Sequence, residues 1–117
     1  MKHGLWKEIK EKLEISILKD EYDEGEKLPT LIEMTQKFKC GRSTAQRVWS
    51  ELEKENIIYR DAPFGVYLKF GAKQLLKDKY LQYVDKQIYD CIRLARNINL
   101  SNEEICELVN VRMTKED

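Results

Sequence analysis

The sequence predicts a mainly α fold with one small β-hairpin: a three-helix core closed by a two-stranded ribbon, followed by two further helices. Three observations predict it. Apolar residues recur at helical spacing in five separate stretches. Two β-branched and aromatic runs, residues 57–60 and 66–70, flank a segment containing Pro63 and Gly65, which is a hairpin signal. Residues 28–52 join two short helical patterns through a tight turn at 39–41, and the second pattern carries a cationic outer face.

In the first helix Leu5, Ile9, Leu13 and Ile17 recur every four residues, with Trp6 and Leu18 widening the stripe. This amphipathic element ends near Lys19 and braces the helices that follow. Residues 20–27 are polar and include Gly25, which suits a turn. Pro29 disfavours helix at Leu28. The Thr30 hydroxyl and the Glu33 carboxylate, three residues apart, form a capping box for a short helix ending at Phe38. Leu31, Met34 and Phe38 are its buried side. Gly41 permits the chain reversal, and Ser43 or Thr44 can cap a slightly later helix start.

The next helix, about 42–54, places Ala45, Val48, Trp49 and Leu52 on one apolar stripe, so Trp49 reads as core. Its other face presents Arg42, Ser43, Gln46, Arg47 and Ser50, side chains of the types that reach phosphates and base edges. No acidic residue occurs from Met34 to Ser50, while Lys37, Lys39, Arg42 and Arg47 supply four positive charges. Glu51, Glu53 and Glu55 follow in the later turns, away from the helix N-terminus that attracts anions. The stretch reads as a helix-turn-helix whose second helix enters double-stranded DNA. With the hairpin directly after it, the first domain, residues 1–70, is a winged helix-turn-helix. Of the hairpin's residues only Arg60 and Lys69 are basic, and the tip carries Phe64.

From 71 or 72 a long helix runs to about Asn97. Leu81, Val84, Ile88, Cys91, Ala95 and Ile98 follow alternating spacings of three and four, a seam typical of helix pairing. Leu76, Tyr80 and Tyr83 form a second stripe beside it. Ser101 and Glu104 make another capping box, opening a short last helix with Ile105, Leu108 and Val109 on its apolar side. That helix can cover one stripe only. A second copy is expected to cover the other, with Leu81, Val84, Ile88, Cys91 and Ala95 at the interface. Residues 71–117 are thus a helical dimerisation region.

Composition narrows the function. The 117 residues are 42% hydrophobic and 36% charged, with 21 Lys and Arg balancing 21 Asp and Glu. A neutral chain is no general nucleic-acid coat. A reader of DNA needs its positive charge on one face only. The acidic cluster Asp20, Glu21, Asp23, Glu24 and Glu26, set against the basic stretch that follows, suggests such a polar molecule. No apolar run reaches the ~18 residues of a membrane span, and the N-terminus lacks a signal peptide's apolar region, so the expected location is the cytoplasm. Cys40, Cys91 and Cys106 are odd in number and lack CxxC spacing, as reduced thiols do. Cys40 reads as a small buried hydrophobe anchoring the turn. With one histidine, His3, and no zinc box, neither a metal nor a cofactor is expected, and no nucleophile has a base at sensible spacing.

Residues 5–68 resemble the winged-helix domain of the GntR family of bacterial transcription regulators. The resemblance is carried by Leu28, Pro29, Thr30, Glu33 and Met34 at the helix start and by Cys40, Arg42, Thr44 and Ala45 through the turn. Leu52 then matches at the helix end, and Gly65, Tyr67 and Leu68 in the wing. It implies that Arg42 enters the major groove with Ser43 and Thr44 beside it, and that Gly65 and Phe64 approach DNA at the wing. Gly41, Ile32, Gln46 and Pro63 depart from the family pattern and imply an operator unlike the common one. The short helical tail resembles the YtrA-like subfamily, in which such a tail serves dimerisation.

The expectation is a homodimeric, sequence-specific DNA-binding repressor acting on a palindromic operator. Its DNA-contacting residues would be Thr30, Lys37, Lys39, Arg42, Ser43, Thr44, Gln46, Arg47, Phe64 and Gly65. A small-molecule effector of unknown nature is left open. The alternative is a winged-helix protein-interaction module with little or no DNA binding.

Overall fold

The computed structural model describes residues 2–61 and 65–115. Its elements are α1 (Lys2–Leu18), α2 (Leu31–Phe38), α3 (Arg42–Lys54), β1 (Ile58–Asp61), β2 (Gly65–Leu68), α4 (Ala72–Asn97) and α5 (Asn102–Thr114). This is the expected winged helix-turn-helix followed by two helices. The chain divides into two compact units, Met1–Lys79 and Tyr80–Asp117. No helix among the described residues is long and apolar enough to cross a membrane.

In the first unit the helical stripes meet in one core. Ile9, Leu13 and Ile17 of α1 join Met34 of α2 and Ala45, Val48, Trp49 and Leu52 of α3. Ile57, Ile58 and Leu68 close it from the wing, and Ala72 and Leu76 from the first turns of α4. Each is 2% exposed or less. A helix as short as α2 is not stable alone; it is held by this packing and by both halves of its capping box. Thr30 Oγ1 accepts from the Glu33 amide at 3.1 Å, and the Thr30 amide donates to Glu33 Oε1 at 2.8 Å.

The turn after α2 differs from expectation. The residue in the left-handed region is Lys39, at φ 52°, where it ends the helix. Gly41 has φ −78° and is the N-cap of α3, an extended conformation open to any residue. Helix α3 begins at Arg42, so Ser43 and Thr44 lie inside its first turn and do not cap it.

The segment read as a turn before α2 does more than reverse the chain. Strands β1 and β2 pair antiparallel, with Ile58 opposite Leu68 and Tyr59 opposite Tyr67. On the other side of β2, Lys27 bridges to Tyr67. The Leu28 amide donates to the Val66 carbonyl at 2.8 Å, and the Leu68 amide to the Glu26 carbonyl at 2.9 Å. Strand β2 is therefore central, and the wing is rooted in the chain leading into α2. Two glycines make this approach possible. Gly25 (φ 89°) leaves room for the Phe70 ring, and Gly65 (φ 133°) for the stem of Lys27; a Cβ would lie 2.6 and 2.7 Å from them.

The acidic cluster is also built into the fold rather than left as free surface charge. Glu24 Oε2 accepts from the Lys73 amide at 2.9 Å, capping the first turn of α4 from 49 residues away. Hydrogen bonds from the backbone at Gly71 and Lys73 hold its carboxyl below the usual carboxylate range. Asp20 pairs with the Lys73 ammonium at 2.8 Å, and that pairing raises the lysine's pKa. Glu26 receives the Asp23 amide at 2.8 Å.

A buried ion cluster joins α1, the end of α3 and α4. Glu14 is 1% exposed, and its carboxylate accepts from Lys10 at 3.0 Å and from Lys79 at 2.9 and 3.0 Å. Lys10 also pairs with Glu55 at 3.0 Å. Burial pulls the Lys10 ammonium down, but hydrogen bonds to Glu55 and Glu14 outweigh it and its pKa is raised.

The second unit holds the rest of α4 and α5, whose start is fixed by the Ser101–Glu104 capping box. On α4, Leu81, Val84, Ile88 and Cys91 are all exposed, and Ala95 is buried within the chain at 8%. A groove of about 650 Å³ runs between the two helices, with Val84, Ile88, Cys91, Ile105, Cys106 and Val109 in its walls.

Candidate nucleic-acid interface

The spacing of α3 decides which side chains face outward. With Ala45, Val48, Trp49 and Leu52 turned into the core, Arg42, Ser43, Gln46 and Arg47 are exposed and Thr44 is half-buried. Trp49 is 2% exposed, as its place on the stripe demands, and its indole N–H has no hydrogen-bond partner among the described residues. The helix is braced from behind by α1, so its outer face is presented on a rigid support.

These outward residues are not equivalent. The side chains of Arg42 and Gln46 carry no hydrogen bond or ion pair among the described residues. Arg47 is held back: its Nε donates to Glu51 Oε2 at 3.0 Å, and its guanidinium lies over the Trp6 ring at 4.3 Å. That hydrogen bond, with Lys54 at 3.6 Å, keeps the Glu51 carboxyl below its ordinary value. Lys37 is also occupied, donating to the Tyr22 hydroxyl at 3.2 Å and lying near the Tyr22 and Phe38 rings. Lys39 is exposed at the turn. The Thr30 hydroxyl is exposed but engaged in its capping box. No side chain caps α3 and its first turn holds no acidic residue, so its leading amides and its positive end are open to an anion.

Beside this face the wing forms a cleft of about 270 Å³. Lys27, Thr30, Gln46, Arg60 and Gly65 rim it, and Leu28, Leu31, Trp49 and Val66 make its floor. Lys27 and Arg60 therefore join the face; the sequence marks Arg60 as a basic residue of the hairpin but gives Lys27 no such prominence. Lys27 is placed there by its bridge to Tyr67, a pairing between residues forty positions apart that no local pattern reveals. Arg60 donates to Glu53 at 3.1 Å, and Lys69 to Asn56 at 3.3 Å, so both basic residues of the hairpin are already engaged. Phe64, expected at the wing tip, lies outside the described residues, as does Pro63.

Cys40 is half-buried behind the turn, and burial pushes its thiol pKa up, which suits a packing role rather than a reactive one. No group of three or more His, Cys, Asp or Glu side chains among the described residues is placed to hold a metal ion.

A helix with free polar and cationic side chains at its start, braced by a three-helix core and flanked by a β-ribbon, defines a winged-helix DNA-binding protein. Residues 5–68 match the family of bacterial regulatory proteins named gntR. This chain belongs to the GntR family, whose members are transcription regulators. No protein of curated function matches the sequence. Among solved structures, a GntR-family transcriptional regulator from Listeria monocytogenes is 24% identical. It matches with a TM-score of 0.76 over 90% of this chain and 91% of its own. A transcriptional regulator from Oenococcus oeni is 16% identical, with a TM-score of 0.80 over 94% and 91%. A GntR-family protein from Bacteroides thetaiotaomicron is 19% identical, with a TM-score of 0.77 over 96% and 99%. At these identities the likeness is one of fold, and it includes the helical tail as well as the winged domain.

Proposed function

We propose that the protein is a homodimeric, sequence-specific repressor that binds a palindromic operator in the cytoplasm through α3. The observation that carries this reading is the state of Arg42 and Gln46. Both stand outward at the start of a braced helix with no hydrogen-bond or ion-pair partner among the described residues, in a family of transcription regulators. Arg42 suits guanine, to which its fork donates two hydrogen bonds, and Gln46 suits adenine. Ser43, Thr44, Thr30, Lys37, Lys39 and Gly65 serve the sugar-phosphate backbone, with Lys27 and Arg60 alongside. Arg47 reaches DNA only by leaving Trp6 and Glu51.

The second copy covers the open stripe of residues 71–117, the dimerisation region of a YtrA-like regulator. Leu81, Val84, Ile88 and Cys91 are its contacts, and Ala95 is the packed floor beneath them. Apolar side chains exposed in such a row signal a missing partner. Two reading helices related by a two-fold axis call for half-sites ~34 Å apart, or a multiple of that. The groove between α4 and α5 is lined by the same Val84, Ile88 and Cys91, so a small-molecule effector would bind at the dimer seam.

Selection of duplexes from a random pool, followed by sequencing of the bound fraction, tests the reading. A two-fold symmetric consensus is expected. Recovery of no preferred duplex, with salt-insensitive retention, overturns it in favour of a winged-helix protein-interaction module.

A further inference from the structure

We infer that Ile32 reads the 5-methyl group of a thymine next to the base pair addressed by Arg42. This rests on the DNA-binding reading and adds to it a residue that chooses sequence. Ile32 is the second residue of α2 and is 58% exposed, while its neighbours Leu31 and Met34 turn toward the core. It shares a shallow cleft of about 230 Å³ with Thr35, Cys40 and Arg42, which puts it beside the first residue of the reading helix.

Among the described residues Ile32 belongs neither to the buried core nor to the hydrophobic side chains packed against it. It contributes little to the core at that exposure, and a β-branched residue is a weaker helix former than most polar ones. Its surroundings are cationic, with Lys37, Lys39 and Arg42 on the same stretch of chain. An apolar side chain gains nothing against a phosphate. In the major groove the apolar group offered by base edges is the thymine methyl, and contact with it is an established means of telling thymine from the other bases. A branched aliphatic side chain next to a free arginine thus specifies a guanine with a neighbouring thymine. The same residue would be poorly matched to a cytosine amino group at that step.

The test uses the best duplex from the random-pool selection and replaces thymines with deoxyuridine one at a time, which removes only the methyl. Binding is measured by fluorescence anisotropy for the parent protein and for Ile32→Ala, with thermal melting to confirm that the variant folds. At one position per half-site the parent is expected to bind the deoxyuridine duplex about four-fold more weakly per methyl removed. Ile32→Ala is expected to bind both duplexes equally. Equal binding of all deoxyuridine duplexes by the parent overturns the assignment while leaving DNA binding intact. So does discrimination that survives in Ile32→Ala. Failure to recover any bound duplex removes the DNA-binding reading itself, and this inference with it.

Discussion

The Arg47 guanidinium lies 4.3 Å from the centroid of the Trp6 ring, joining the outer face of α3 to the first turns of α1. The same side chain donates to Glu51, so a cation that spacing alone would send toward DNA is turned back against its own domain. A double-mutant cycle of Arg47→Ala and Trp6→Leu should give a coupling of about 0.5–1 kcal/mol in urea unfolding. Base preference should survive Arg47→Ala. A zero coupling, or a changed operator consensus, would show that the stack is incidental.

Arg42 and Lys39 should separate cleanly in binding experiments. Arg42→Ala is expected to relax the consensus at one position and cost about 1–3 kcal/mol per half-site contact. Lys39→Ala should weaken all sequences alike and lower the slope of log affinity against log salt by about 0.9 per half-site. Anisotropy titrations from low to high salt read both effects. An unchanged consensus in Arg42→Ala would move base reading elsewhere on α3.

Glu14 should be the least replaceable charge in the protein. Its removal leaves Lys10 and Lys79 facing each other, with Glu55 as an ion-pair partner of both. Glu14→Ala is expected to cost about 3–5 kcal/mol, whereas Lys10→Met with Glu14→Leu should recover much of the loss. The alkaline side is informative as well. The pKa of Lys10 is raised above its ordinary 10.5, so its contribution is complete below that pH and is lost as pH rises through the higher folded value. Lys10→Met should flatten the alkaline limb of the stability profile.

Glu24 gives the opposite pH signature. Its carboxyl is depressed below the ordinary 4.5 by hydrogen bonds from the backbone at Gly71 and Lys73. The stability it contributes is therefore present above pH 4.5 and disappears as pH falls through the folded value. Glu24→Gln should remove that acid-sensitive component, with a lower melting temperature at neutral pH. Melting curves that keep the parent's slope between pH 5 and 3 would contradict the capping role.

Ile88 lies mid-seam at 53% exposure. Ile88→Asp places a charge where a second copy is expected to pack, so sedimentation should show monomer under conditions that keep the parent dimeric. Because the residue is exposed in the single chain, the monomer should keep its helical circular dichroism, while its melting loses the concentration dependence that a dimer confers. A dimer that persists in Ile88→Asp would place the contact on another face of α4 or α5.

What the sequence made legible was local. Thr30 with Glu33, and Ser101 with Glu104, are three residues apart, so each helix start could be read without knowing the rest of the chain. The core stripe of α3 was equally plain, and with it the outward set at 42, 43, 46 and 47. The sequence did not show which of those four are free. Arg47 is withdrawn by Trp6, forty-one positions earlier, and no pattern within a helix encodes that contact. Within the acidic cluster nothing marks Glu24 as a cap, because the amide it caps is 49 residues distant. The glycine in the 39–41 turn invites the chain reversal to be placed at Gly41, yet the left-handed residue is Lys39. A glycine is a signal of conformational freedom only when φ is positive, and at Gly41 it is not.

Because the 26–28 segment is laced to β2, the wing is fastened at its root to the chain that leads into α2. A ribbon settling on a duplex is therefore expected to carry with it the chain entering α2, and so the helix that holds Ile32. Affinity at the ribbon and discrimination at the base pairs would then rise or fall together, as two ends of one lever.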